Sequence, residues 1–235
     1  MVDEKEFNDH LKERLKNPGG IFSEIILGGQ DGLVNTLGVV LGILAATTDL
    51  RIILAGALAA AFAESISMAA VAYTSKQAEY ENYISELNRE KEDIEKIPEI
   101  EKEEVRRIFK KWGVSSEDTE TMVNIISKNR DAWLEIMMAH ELEINKVEGE
   151  KPLKFALTVG VSALVGSFIP ILPLLFIPIS YAWLGAIIVS GVSLLIIGYV
   201  KTKFTFGNPF RGGVKLMVIG ILSAIAGYLI GYLIG

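Results

Sequence analysis

Apolar residues gather in five blocks, over residues 21–47, 52–73, 153–176, 181–200 and 214–234, and polar residues fill the intervals. Each block is long enough, at 1.5 Å rise per residue, to cross about 30 Å of hydrocarbon as a helix. The second block does not stop at its polar end. No Gly or Pro interrupts 57–97, so the pattern predicts one helix of roughly 60 Å, about half of it beyond the hydrocarbon. Pro98 then opens a short helix over 99–112 that Gly113 ends, and Ser115-Ser116-Glu117-Asp118 starts another running to about Val147. Ahead of the first block, Phe7, Leu11 and Leu15 share one face of an amphipathic segment, 1–20, closed by Asn17-Pro18-Gly19-Gly20. The expected fold is an all-α membrane protein with five transmembrane helices. A three-helix cytoplasmic insertion lies between spans 2 and 3, its first helix continuing span 2. The expected division is 1–20, 21–76 (spans 1–2), 77–150 (acidic insertion) and 151–235 (spans 3–5).

Composition sharpens this picture because the charges are segregated. Half of the 235 residues are hydrophobic and 22% are charged, yet 155–200 holds no charged side chain while 76–154 holds 34, 20 of them acidic. The net charge of −6 therefore belongs to the insertion, which excludes nucleic acid as a natural partner. With no cysteine there are no disulfides, thiolate sites or iron–sulfur clusters. The first twenty residues lack an apolar signal-peptide core, so the first span is expected to direct its own insertion. Segments 1–20, 76–154 and 201–215 carry 22 of the 23 Lys and Arg residues, only Arg51 falling elsewhere, and the positive-inside rule places them in the cytoplasm.

Acids at bilayer depth are costly and point to function. Asp31 lies in the first span, and Glu64 and Met68 stand one turn apart in the second. Counted from the inner ends of their spans, the three sit at roughly 16, 18 and 12 Å, a similar level on antiparallel neighbours. Two carboxylates with a thioether suit a transition ion such as Fe²⁺ or Mn²⁺ better than Ca²⁺ or Mg²⁺. The bland alternative pairs Asp31 with Gln30, Asn35 or a helix end and leaves Met68 as packing. In the insertion, Glu90 with Asp93 and Glu101 with Glu104 are three apart, each pair on one helix face, and Met137, Met138 and Glu141 follow. Acid runs are commonly solvated faces and methionine doublets commonly core. Met137 also occupies the place of the acid in a Glu-x-x-His motif before His140, which disfavours a ferritin-like oxidase. Gly38-x3-Gly42 and Gly227-x3-Gly231 permit close packing or dimerisation.

Taken in order, these motifs resemble the vacuolar iron transporter family. Asp31-Gly32-Leu33 is similar to its Asp-Gly signature, and Ser65-Ile66-Ser67-Met68-Ala69 to its Ile-Ser-Met stretch. Pro98-Glu99-Ile100-Glu101-x2-Glu104-Val105, Trp133-x3-Met137-Met138-x2-Glu141, Pro170-Ile171-Leu172-Pro173 and Gly198-Tyr199-Val200-Lys201 resemble its later elements, covering nearly the whole chain. The resemblance implies a five-span homodimer that exchanges cytosolic Fe²⁺, and often Mn²⁺, for protons. It implies a pathway of Asp31 and Met68 at the dimer interface, with Glu24 near its entrance. It implies a cytoplasmic metal-binding set of Glu90, Asp93, Glu101, Glu104, Met137, Met138 and Glu141. The sequence departs from the family pattern at Ala60, where a glutamate stands eight residues before the methionine, and Glu64 is one turn later on the same face. It departs again at Val71-Ala72-Tyr73, in place of Gly-Glu-Tyr, and at Asp93, in place of a longer glutamate.

The expected function is proton-coupled export of Fe²⁺, and also Mn²⁺, through Asp31, Glu64 and Met68, by a transporter with no permanently bound cofactor and no enzymatic activity. The alternatives are a membrane-anchored metal buffer or sensor and a structural protein with an acidic stalk. A prokaryotic cell membrane is the expected location, with a vacuolar membrane second.

Overall fold

A computed structural model describes residues 19–144, 152–205 and 207–235, so the amphipathic segment expected over 1–20 falls, up to residue 18, outside the described residues. Helix α1 spans Gly19–Ala46 and α2 spans Leu50–Lys96, the turn between them fixed by Asp49, whose side chain accepts the Arg51 N–H. The 47-residue α2 runs unbroken until Pro98, where a ring without an N–H starts α3, Pro98–Lys111. That helix carries Glu99 and Glu101 in its first turn and Lys110 and Lys111 in its last, matching the backbone dipole at both ends. Gly113 adopts φ 80°, a conformation that favours glycine, and turns the chain into α4, Ser116–Ile126. Ser115 caps α4 by accepting the Asp118 N–H.

Here the structure corrects the sequence reading. The single helix expected from 115 to about 147 is broken at 127–129, because the Asn129 side chain accepts the Ala132 N–H and starts a separate helix, α5, Arg130–Ile136. α5 then widens into a π-helical turn, Met137–Glu141. The insertion therefore holds more helical segments than the three expected, and the part of the expected helix beyond residue 144 lies outside the described residues. The chain continues with α6, Pro152–Phe176, α7, Ile179–Phe204, and α8, Pro209–Ile234.

Helices α1, α2, α6, α7 and α8 are long and apolar enough to cross a membrane, and the chain is a multi-pass membrane protein. Among the described residues there is no strand. The chain divides into two compact units, one of Met1–Tyr73 with Pro152–Gly235, the other of Thr74–Lys151. In the first, α1 is central and is held at backbone distance by glycines. A Cβ on Gly32 would lie 2.0 Å from the Ala163 carbonyl oxygen of α6, and one on Gly231 of α8 would lie 1.8 Å from the Gly42 oxygen. The Gly38-x3-Gly42 and Gly227-x3-Gly231 stripes thus face each other within one chain. Leu37, Val40, Ile53, Ala57, Ile171 and Ala186 form the heart of this unit, while Leu157, Val161, Ile188 and Leu222 stand exposed as a lipid-facing surface. The other unit closes over Ile94, Val105, Phe109, Val123, Trp133 and Met137.

Candidate metal site

Glu90 near the end of α2, Glu101 in the first turns of α3 and Glu141 at the close of the π turn converge in the Thr74–Lys151 unit. Each offers a carboxylate oxygen, and the three oxygens lie within 4.8 Å of one another, spacing that a single cation with oxygen ligands at about 2.0–2.6 Å can bridge. Glu90 and Glu101 are buried and Glu141 is exposed, so the cluster opens to solvent on the side of the π turn. Local sequence makes the arrangement. Pro98 ends α2 and starts α3, so that Glu101 in the opening turns of α3 lies near Glu90, and the wider π turn places Glu141 after the buried Met137 and Met138.

The electrostatics describe a site short of positive charge. Burial pushes Glu101 up to about 8, helped by its hydrogen bond with Glu90 and by the charges of Glu90, Glu104 and Asp93. Glu141 is pushed up to about 7, by burial first and then by the charges of Glu104 and Glu101. Glu90 is raised as well, chiefly by burial, against the lowering effect of its bond with Glu101. Glu90 Oε1 and Glu101 Oε2 are buried without a hydrogen-bond partner, oxygens that a divalent cation would satisfy.

The remaining sequence candidates of this unit fall around the trio. Glu104 acts on Glu141 by charge, and Asp93 acts likewise on Glu90 and Glu101 while pairing with Arg89 at 3.7 Å. Met137 and Met138 are buried in the apolar core beside Trp133 and Leu134.

In the membrane unit the sequence candidates separate. Asn35 and Asp31 of α1 stand close enough to the Glu64 carboxyl of α2 to act on it electrostatically, while Glu64 Oε1 remains buried without a partner. Asp31 and Asn35 themselves are exposed on α1. Met68 is half-buried against Ala72, Ala156 and Val159, a packing environment. Glu24 is buried. Two participants escaped the sequence reading in these roles. Asn35 serves Glu64 rather than Asp31, a pairing that its i+4 position from Asp31 and Glu64's depth could have suggested. Ser65 Oγ donates to the Gly160 carbonyl at 2.7 Å and ties α2 to α6, which no local signal marks.

The profile of the VIT family matches residues 22–232. "Vacuolar iron transporter 1" of Eucalyptus grandis is 32% identical over 221 residues, covering 94% of this chain and 89% of the relative. The Arabidopsis thaliana protein of the same name is 32% identical over 94% of this chain and 88% of its own length. "Vacuolar iron transporter" of Centaurea cyanus is 34% identical over 96% and 92%. These relatives are transporters by name, not enzymes. The chain belongs to the VIT family.

Proposed function

We propose that this protein exports Fe²⁺, and also Mn²⁺, from the cytosol across its membrane in exchange for protons. The observation that carries the reading is the Glu90–Glu101–Glu141 cluster, a cation-sized set of oxygens in a relative of proteins named for iron transport. In this reading the acidic unit is cytoplasmic and collects the ion, which then passes along Asp31, Glu64 and Met68. Protons arriving from the far side neutralise Asp31 or Glu64 and release it. The ion is cargo, and a carboxylate set of this kind accepts several first-row divalent ions.

Two copies are required. Asp31 and Asn35 are exposed on a spanning helix, and a carboxylate facing hydrocarbon costs about 2.5–3.5 kcal/mol on insertion scales. A second α1–α2 face laid against the first removes that cost and encloses a path lined by two sets of acids. The membrane is a cell membrane in a prokaryote and a vacuolar membrane in a eukaryote, with the N-terminus cytoplasmic by the positive-inside rule.

The trio alone would equally serve a membrane-anchored buffer or sensor, and one experiment separates the two. Purified protein in vesicles is expected to take up Fe²⁺ along an imposed proton gradient, and Asp31→Ala is expected to abolish uptake while leaving metal binding to the acidic unit intact. Binding without gradient-driven uptake would establish the buffer and end the transport reading.

A further inference from the structure

The helical hairpin of α7 and α8 gathers cations that no acid among the described residues pairs with. A Cβ on Gly198 would stand 2.6 Å from the Gly212 carbonyl oxygen, so the end of α7 and the start of α8 meet at backbone distance. Lys201 and Lys203 flank Thr202, and Arg211 precedes Gly212 with Lys215 one turn further along α8. All four are exposed, and among the described residues none forms an ion pair with an acid. Residues 155–235 contain no Asp or Glu at all. Four like charges crowded at one hairpin end repel one another unless an anion lies among them.

The surroundings select the anion. The cations sit at the ends of two spans, beside the exposed rings of Phe204 and Phe210, the position that interfacial aromatic residues take at headgroup level. Below Lys203 the exposed residues Val192, Ile196 and Tyr199 follow one face of α7 at helical spacing, an apolar track leading down from the charge. The backbone donors at the start of α8 are already taken, because Asn208 Oδ1 accepts the N–H groups of Phe210 and Arg211. Recognition therefore rests on the four side chains. We infer that the α7–α8 hairpin binds the headgroup of an anionic phospholipid from the adjacent leaflet, with its acyl chains along the exposed face of α7.

The test uses the full-length protein in nanodiscs of phosphatidylcholine with or without phosphatidylglycerol. Lipid retained on the protein is read by native mass spectrometry. Phosphatidylglycerol is expected to be retained over phosphatidylcholine, and the preference to fade as salt is raised. Lys201→Gln/Arg211→Gln/Lys215→Gln should weaken retention by roughly fivefold for each cation removed, whereas Lys201→Arg/Lys215→Arg should keep it. Equal retention of the two lipids, or a glutamine variant that holds phosphatidylglycerol as tightly as the original, would overturn the inference. Displacement of the lipid by inorganic phosphate would do so too, since it would mark a site for a free anion. If the glutamine variant cannot be isolated, the lipid preference of the original chain and its salt dependence decide the matter.

Discussion

Glu90 and Glu101 bring carboxylate oxygens within 4.8 Å of each other, and burial with the charge of their neighbours raises both above the ordinary glutamate value. Without a cation, the folded unit therefore holds protons that the unfolded chain would release near the ordinary glutamate value of 4.5. A raised carboxyl contributes stability at low pH that is lost as pH climbs from about 4.5 toward about 8. Metal-free protein in chelator is expected to melt earlier at pH 8 than at pH 5.5. Glu101→Gln should flatten that slope and raise the melting temperature at pH 8 by ~2–4 °C. A variant as pH-sensitive as the original would refute the raised Glu101 carboxyl.

Metal binding should displace those protons. Mn²⁺ titrated into the protein is expected to release protons, and affinity should fall as pH drops from 8 through 7, where Glu101 and Glu141 recover theirs. At a hundred times its dissociation constant the ion should stabilise the protein by about 2.7 kcal/mol. Glu90→Gln or Glu141→Ala should weaken binding by tenfold or more. Calorimetry in two buffers of different ionisation heat measures both effects, and a heat independent of buffer would count against the trio.

The closeness of Asn35 to Glu64 predicts a separation of the two sites. Asn35→Ala should reduce iron uptake into vesicles about tenfold while leaving Mn²⁺ titration of the acidic unit unchanged. Loss of both together would mean that the substitution simply unfolds the protein.

Glycine positions should differ sharply in tolerance. Gly231→Leu puts side-chain atoms into the Gly42 carbonyl and is expected to cost more than the usual 1–3 kcal/mol of overpacking, seen as loss of a monodisperse peak in detergent. Gly191→Ala meets nothing closer than Met217 Cγ at 3.8 Å, and should be neutral or stabilise by about 0.5–1 kcal/mol.

Asn129→Ala removes the cap that starts α5 and should destabilise the acidic unit by about 1 kcal/mol, measured by chemical denaturation. Asn129→Asp keeps a capping oxygen and should avoid most of that loss, and equal destabilisation by both would show that the cap is not the cause.

The spans were legible because lipid imposes one rule on every residue of a helix, and that rule shows in hydropathy alone. The acids of the insertion were legible as candidates but not as a group. Glu90, Glu101 and Glu141 sit on separate helical segments, and their convergence depends on the turn at Pro98 and on a π turn that no periodicity announces. The break at Asn129 was missed because the apolar pattern runs on across it, while the side chain that stops the helix is a single polar residue among many. Residue type likewise left Asn35 free to serve either neighbouring acid, and only the placement of α2 against α1 assigns it to Glu64.

The glycine contact between α1 and α8 bears on how the chain is made. Ser223 Oγ reaches the Val34 carbonyl across 189 positions of sequence. At a synthesis rate of about 5–20 residues per second, the α1 surface that will receive α8 stays uncovered for roughly 10–40 s. During that interval the glycine face of α1 lacks the span that covers it in the finished fold.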